Sequence, residues 1–134
     1  MMVTVTVIVT VILVEDINIP MLFLIPGDDR FVPSVRHSNR MLTRLQNVGK
    51  HQLFEAVFLR GTGHFVDVPY LPLCRFFNVC PGAKIDLIAT CGGDPKLHSR
   101  GQETAWRKTI NWFRQQLGVT EVYRTDWLDS EQGQ

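Results

Sequence analysis

The sequence predicts an α/β domain with a mainly parallel sheet flanked by helices, and three observations predict it. Two short apolar runs, residues 21–25 (MLFLI) and 54–59 (FEAVFL), stand on either side of a segment with helical periodicity. Each run is closed by glycine: Pro26 and Gly27 after the first, Gly61 and Gly63 after the second. The joints are short, so the order is strand, helix, strand, a crossover unit whose two strands run parallel.

The first run has the pattern of a strand buried on both faces of a parallel sheet. Pro33 and Ser34 open the helix, Val35, Met41, Leu42, Leu45 and Val48 form its apolar stripe, and Gly49 stops it. After the second strand, Pro69, Pro72 and Pro81 punctuate what reads as irregular chain. Asp94 before Pro95 is an N-cap followed by proline at the first helical position. Trp106, Ile110, Phe113 and Leu117 then recur at spacings of four, three and four, which places them on one helix face, and Gly118 ends the helix. That face is expected to be core.

At 134 residues the chain suits one domain. Lys plus Arg number 14 against 13 Asp plus Glu, a net charge of +1 that argues for neither a nucleic-acid nor a membrane-surface partner. Cys74, Cys80 and Cys91 have no metal-ligand spacing and read as reduced thiols of an intracellular protein, with no metal or other cofactor implied. Residues 1–14 (MMVTVTVIVTVILV) carry no charge. They are shorter than the roughly 18–20 apolar residues of a membrane span and lack the marks of a signal peptide. Their alternation of valine and threonine predicts a strand. The expected organisation is an atypical segment over 1–13, the domain proper over 14–118 and a polar tail over 119–134, which Tyr123 and Trp127 could pin.

In parallel α/β folds the functional residues lie in loops beyond the carboxyl ends of strands. The first such loop holds Asp28 and Asp29, followed by Arg30, Phe31, Val32 and Pro33; the second is Gly61, Thr62, Gly63 and His64. Singly, an aspartate pair after a strand is more often a turn or cap, and a glycine-flanked histidine more often a loop residue. Together, in this order, they match how α/β-hydrolases supply the acid and histidine of a triad. Asp29 is the better acid, because Val32 and Pro33 complete a D-x-x-V-P pattern, and Asp28 is the turn cap. The carboxylate would fix the tautomer of His64 and stabilise its imidazolium.

The run Gly61-Thr62-Gly63-His64-Phe65-Val66-Asp67-Val68-Pro69-Tyr70-Leu71-Pro72-Leu73-Cys74 resembles the T-G-H-[YF]-I-E-P-P-Y-x-P-x-C signature of acyl-CoA thioesterases, which form one family with bile acid-CoA:amino acid N-acyltransferase. Gly92-Gly93-Asp94-Pro95-Lys96-Leu97-His98 is similar to that family's G-G-E-P-x-x-H, and Ala105, Trp106, Phe113 and Leu117 to its last helix. The resemblance spans about Val14 to Gly118. It departs where the family has D-D-H-N-W and this chain has Asp28-Asp29-Arg30-Phe31-Val32, and where Cys91 stands in place of a frequent tryptophan.

The resemblance implies the C-terminal part of an α/β-hydrolase fold and an acyl-CoA substrate, with Asp29 and His64 in the positions of acid and base. The family's nucleophile is Ser or Cys at the centre of G-x-[SC]-x-G. None of Ser34, Ser38, Ser99, Ser130 or the three cysteines stands in that context. The nucleophile is therefore expected upstream of both residues, and the chain alone is expected to be close to inert. Alternatives are a binding module that kept this half of the fold, and the amino-acid transferase branch.

Arg36, Arg40 and Arg44, four residues apart with Lys50 beyond, read as a solvated helix face rather than a clamp for coenzyme A phosphates. Trp106 and Phe113 read as core rather than acyl pocket, and His98 as first-turn packing or capping. His37 and His51 carry no signal.

Overall fold

Pairing of backbone N–H and C=O groups decides the sheet. A computed structural model describes residues 13–79, 81–82, 84 and 87–119. In it β1 (Met21–Pro26) and β2 (Phe54–Leu59) pair in parallel, with Met21 opposite Phe54 and Pro26 opposite Leu59. The crossover between them carries α1 (Ser34–Asn47), which buries Ser38 and Leu45. Its end is closed by the Gly49 N–H, which donates to Gln46 O at 3.0 Å. α2 (Pro95–Gln116) follows the site loops, and its N-cap is made by Asp94, whose carboxylate accepts from the Leu97 N–H at 2.9 Å. Both helices contact β1, and α2 also contacts β2.

Several expectations need correction. The proline-rich stretch contains β3 (Phe76–Asn78), antiparallel to β4 (Ile88–Thr90). Three-residue strands are stabilised by the pairing itself, which a local pattern does not reveal. β1 is not buried on both faces: Ile25 and Pro26 are buried, whereas residues 21–24 are half-buried. Among the described residues only β2 hydrogen-bonds to it.

The largest correction concerns α2. Its buried face is His98, Gly101, Gln102 and Ala105. Trp106, Phe113 and Leu117 are 47%, 51% and 71% exposed. Small residues on the inner face let the helix approach the loop before it closely, and the apolar stripe is turned away by that contact. Val48, at the end of the α1 stripe, is likewise exposed.

A short 3-10 turn, Val14–Asp16, lies against α1. Glu15 accepts from Arg44 Nε at 3.1 Å and Nη2 at 2.5 Å, and Lys50 Nζ donates to the carbonyls of Glu15 and Ile17. Arg44 is thus engaged, and Arg36 and Arg40 alone keep the solvated character expected of the stripe. No helix of the described residues is long and apolar enough to cross a membrane. The expected strand over residues 1–12, the tail beyond residue 119 and Cys80 lie outside the described residues.

Candidate functional site

Three loops meet at the carboxyl ends of β1 and β2: residues 27–33, 61–64 and 91–94. Parallel pairing puts the first two side by side, and backbone hydrogen bonds lock all three. The Gly27 N–H donates to Leu59 O, the Asp28 N–H to Thr62 O and the Asp94 N–H to Gly61 O, each at 2.9 Å. The His64 N–H donates to Cys91 O at 2.8 Å. Packing is close enough to require glycine. A Cβ on Gly63 would stand 2.6 Å from Gly92 O, and Gly92, at φ +71°, leaves no room for one against Asp28 O.

This framework brings Asp29 and His64 together across 35 positions of sequence. Asp29 Oδ2 lies 2.9 Å from His64 Nδ1. The Asp29 side chain is 2% exposed and that of His64 25%. Asp29 Oδ1 accepts from the backbone N–H of Phe31 at 3.0 Å and of Val32 at 2.9 Å, and the Ser34 hydroxyl donates to Oδ2. Burial pushes the Asp29 carboxyl up, but the hydrogen bonds from His64, Ser34, Val32 and Phe31 outweigh it and hold the group below the usual carboxylate range. Asp29 is therefore an anion at neutral pH, fixed on the Nδ1 side of the ring. Nε2, on the opposite side, is the atom left to exchange a proton.

Asp28, expected as the turn cap, is not it: the N–H groups of Phe31 and Val32 donate to Asp29. Asp28 Oδ2 accepts from the Gly93 N–H at 2.9 Å and its Oδ1 from Arg30 Nε at 3.2 Å, so Asp28 ties the first loop to the third. The Gly93 N–H is the largest influence and lowers its carboxyl; burial raises it, and the Arg30 guanidinium lowers it further, so the group lies below its ordinary value. His98, expected as first-turn packing or capping, is 2% exposed, and its Nδ1 accepts from the Gly63 N–H at 3.1 Å. Burial pushes its imidazole down, opposed by the charge of Asp67.

Two features escaped the sequence. Phe31 and Phe65 meet the His64 ring edge-to-face at centroid distances of 5.0 and 4.9 Å, and Phe77 closes the cluster at 5.0 and 5.3 Å from them. Phe31 and Phe65 adjoin the loop residues and were open to notice; Phe77 arrives only through the β3–β4 pairing. Cys74 and Cys91 bring their Sγ atoms within 4.0 Å, and burial, with the Cys74 contact, pushes the Cys91 thiol up to about 11, which makes it a poor nucleophile at neutral pH. A cleft of about 790 Å³ runs from Asp29 along α1, with Arg36 and Arg40 on its wall. No group of three metal-ligating side chains occurs among the described residues.

Comparison with known proteins decides the family. Residues 6–119 match the model described as "BAAT / Acyl-CoA thioester hydrolase C terminal". The chain belongs to this family. Among curated relatives of this BAAT-type chain, it is 36% identical over 106 residues to acyl-coenzyme A thioesterase 1 of Rattus norvegicus, covering 78% of this chain and 24% of the relative. It is 32% identical over 109 residues to the mitochondrial acyl-coenzyme A thioesterase 2 of Homo sapiens, covering 81% and 22%. It is 30% identical over 104 residues to acyl-coenzyme A amino acid N-acyltransferase 2 of Rattus norvegicus, covering 78% and 24%. The BAAT-type chain thus spans about a quarter of the length of the relatives it matches.

Proposed function

We propose that this chain supplies the acid and the histidine for acyl-CoA thioester hydrolysis, within the C-terminal part of an α/β-hydrolase fold. The observation that carries the proposal is the Asp29 Oδ2 to His64 Nδ1 contact of 2.9 Å, made by a buried carboxylate on a partly exposed ring. Asp29 holds the tautomer with its proton on Nδ1, so Nε2 is the base. It takes the proton of a Ser or Cys nucleophile, contributed by the part of the domain that precedes these residues, as that atom attacks the thioester carbonyl. The acyl group passes to the nucleophile, and the proton goes from Nε2 to the departing coenzyme A sulfur. Water, deprotonated by the same Nε2, then releases the fatty acid.

The amino-acid transferase branch differs only in the second acceptor, an amine in place of water. The 30% identity to an N-acyltransferase keeps it as a second reading.

A chimera tests both. Residues 14–118 replace the matched region of rat acyl-coenzyme A thioesterase 1, and the product is assayed with palmitoyl-CoA, with and without an amino acid acceptor. Hydrolysis is expected, and His64→Ala is expected to lower the rate by about 10³-fold or more. Hydrolysis that survives His64→Ala, or a folded chimera without hydrolysis, overturns the proposal. Conjugation exceeding hydrolysis selects the transferase reading.

A further inference from the structure

Four consecutive residues of the histidine loop are each tied by a backbone group. Gly61 O, Thr62 O and the His64 N–H are bound to the main chain of Asp94, Asp28 and Cys91. The Gly63 N–H is the exception, because it donates to a side chain, Nδ1 of His98, at 3.1 Å. Both partners are buried, so neither exchanges this bond for one to water. A ring that accepts at Nδ1 carries its proton on Nε2 and is neutral; a protonated ring would present a second donor to the Gly63 N–H. The ring is also well placed to be rigid. His98 sits one turn inside α2, its own N–H donating to Asp94 O at 2.7 Å, and Asp94 is the cap that starts the helix.

We propose that His98 is a positioning residue for His64, holding the Thr62–Gly63 peptide, and with it the backbone that leads into His64, so that Nδ1 of His64 faces Asp29. The role rests on the Asp29–His64 pairing proposed above. Without an acceptor at His98, the Gly63 N–H is buried and unpaired, and the Thr62–Gly63 peptide relaxes by rotating toward another partner. That peptide is joined to His64 through the φ and ψ angles of Gly63, so its rotation shifts the His64 ring away from a carboxylate held in place by three other donors.

The test is the tautomer of His64 in the full chain, read from long-range ¹H–¹⁵N correlations at about pH 8, where imidazoles are neutral. The wild-type chain is expected to show His64 mainly as the Nδ1–H form, and His98 as the Nε2–H form with a scalar coupling from the Gly63 N–H to Nδ1. In His98→Leu the Nδ1–H form of His64 is expected to lose its majority. In His98→Asn, whose Oδ1 lies one bond from Cγ as Nδ1 does and can accept from Gly63, it is expected to persist. A folded His98→Leu chain with His64 unchanged overturns the positioning role and leaves the Asp29–His64 pairing standing. A wild-type His64 lacking the Nδ1 proton overturns the pairing and the role together. Should His98→Leu not fold, a wild-type His98 protonated at Nδ1 overturns the proposal by itself.

Discussion

Asp29 owes its state to four donors of different kinds. Two are backbone N–H groups, at Phe31 and Val32, one is the Ser34 hydroxyl and one is the His64 ring. The loop thus contributes main-chain donors, which do not depend on the side chains of Phe31 and Val32. Arg30 instead pairs with Asp28. The carboxyl's folded value lies below its ordinary 3.8. Its contribution to stability is therefore fully present above pH 3.8 and is lost as pH falls through the folded value. Asp29→Asn is expected to lower stability at pH 7 by about 1–3 kcal/mol, since charge-assisted hydrogen bonds are lost. It is also expected to flatten the acid limb of the stability curve below about pH 4. Urea denaturation at a series of pH values checks both, and an unchanged acid limb would show that Asp29 is not held by these donors.

At the scale of elements, the decisive contact is α2 against the histidine loop. Gly101 lies directly beneath Thr62: a Cβ there would meet Thr62 Oγ1 and stand 3.1 Å from its Cβ. In an exposed helix, glycine to alanine stabilises by about 1 kcal/mol. Here Thr62 is fully buried and the opposite sign is expected. Gly101→Ala should destabilise by about 1–3 kcal/mol through overpacking, measured by thermal or urea unfolding. A stabilised variant would mean that the loop yields to the helix. The same contact explains why the helix turns Trp106, Phe113 and Leu117 outward, since only one face of α2 is narrow enough to lie on residues 61–64.

At the scale of the whole molecule, the buried apolar set among the described residues is small. It comprises Val14, Ile25, Leu45, Leu59, Cys91 and Ala105, while many large apolar side chains stay exposed among the described residues. Leu24, Val68 and Trp106 line one shallow groove, and Met21, Leu22, Trp112 and Phe113 another, along β1 and α2. The chain is expected to enhance the fluorescence of a hydrophobic dye such as ANS at neutral pH, and the double variant Trp106→Ser, Phe113→Ser to reduce that signal at least twofold with the fold retained by circular dichroism. An equal signal from the double variant would place the dye elsewhere.

Much of the architecture was legible in local patterning. Apolar runs closed by glycine marked β1 and β2, and Asp94 with Pro95 marked the start of α2, because strand burial and helix capping are written in neighbouring residues. The loop sequences likewise singled out Asp29 and His64. Periodicity alone misjudged the apolar stripe of α2: it reports which side chains share a face, not which face a neighbour covers. The β3–β4 pair, the place of Phe77 against Phe31 and Phe65 and the bond from Gly63 to His98 were beyond reach for the same reason. Each joins residues distant in sequence, and only the folded chain brings their atoms within contact. The sequence by itself determined the family, the two strands and the pair of residues worth attention. Tertiary structure alone decided that those two residues meet, and which buried side chain holds the loop on which they do so.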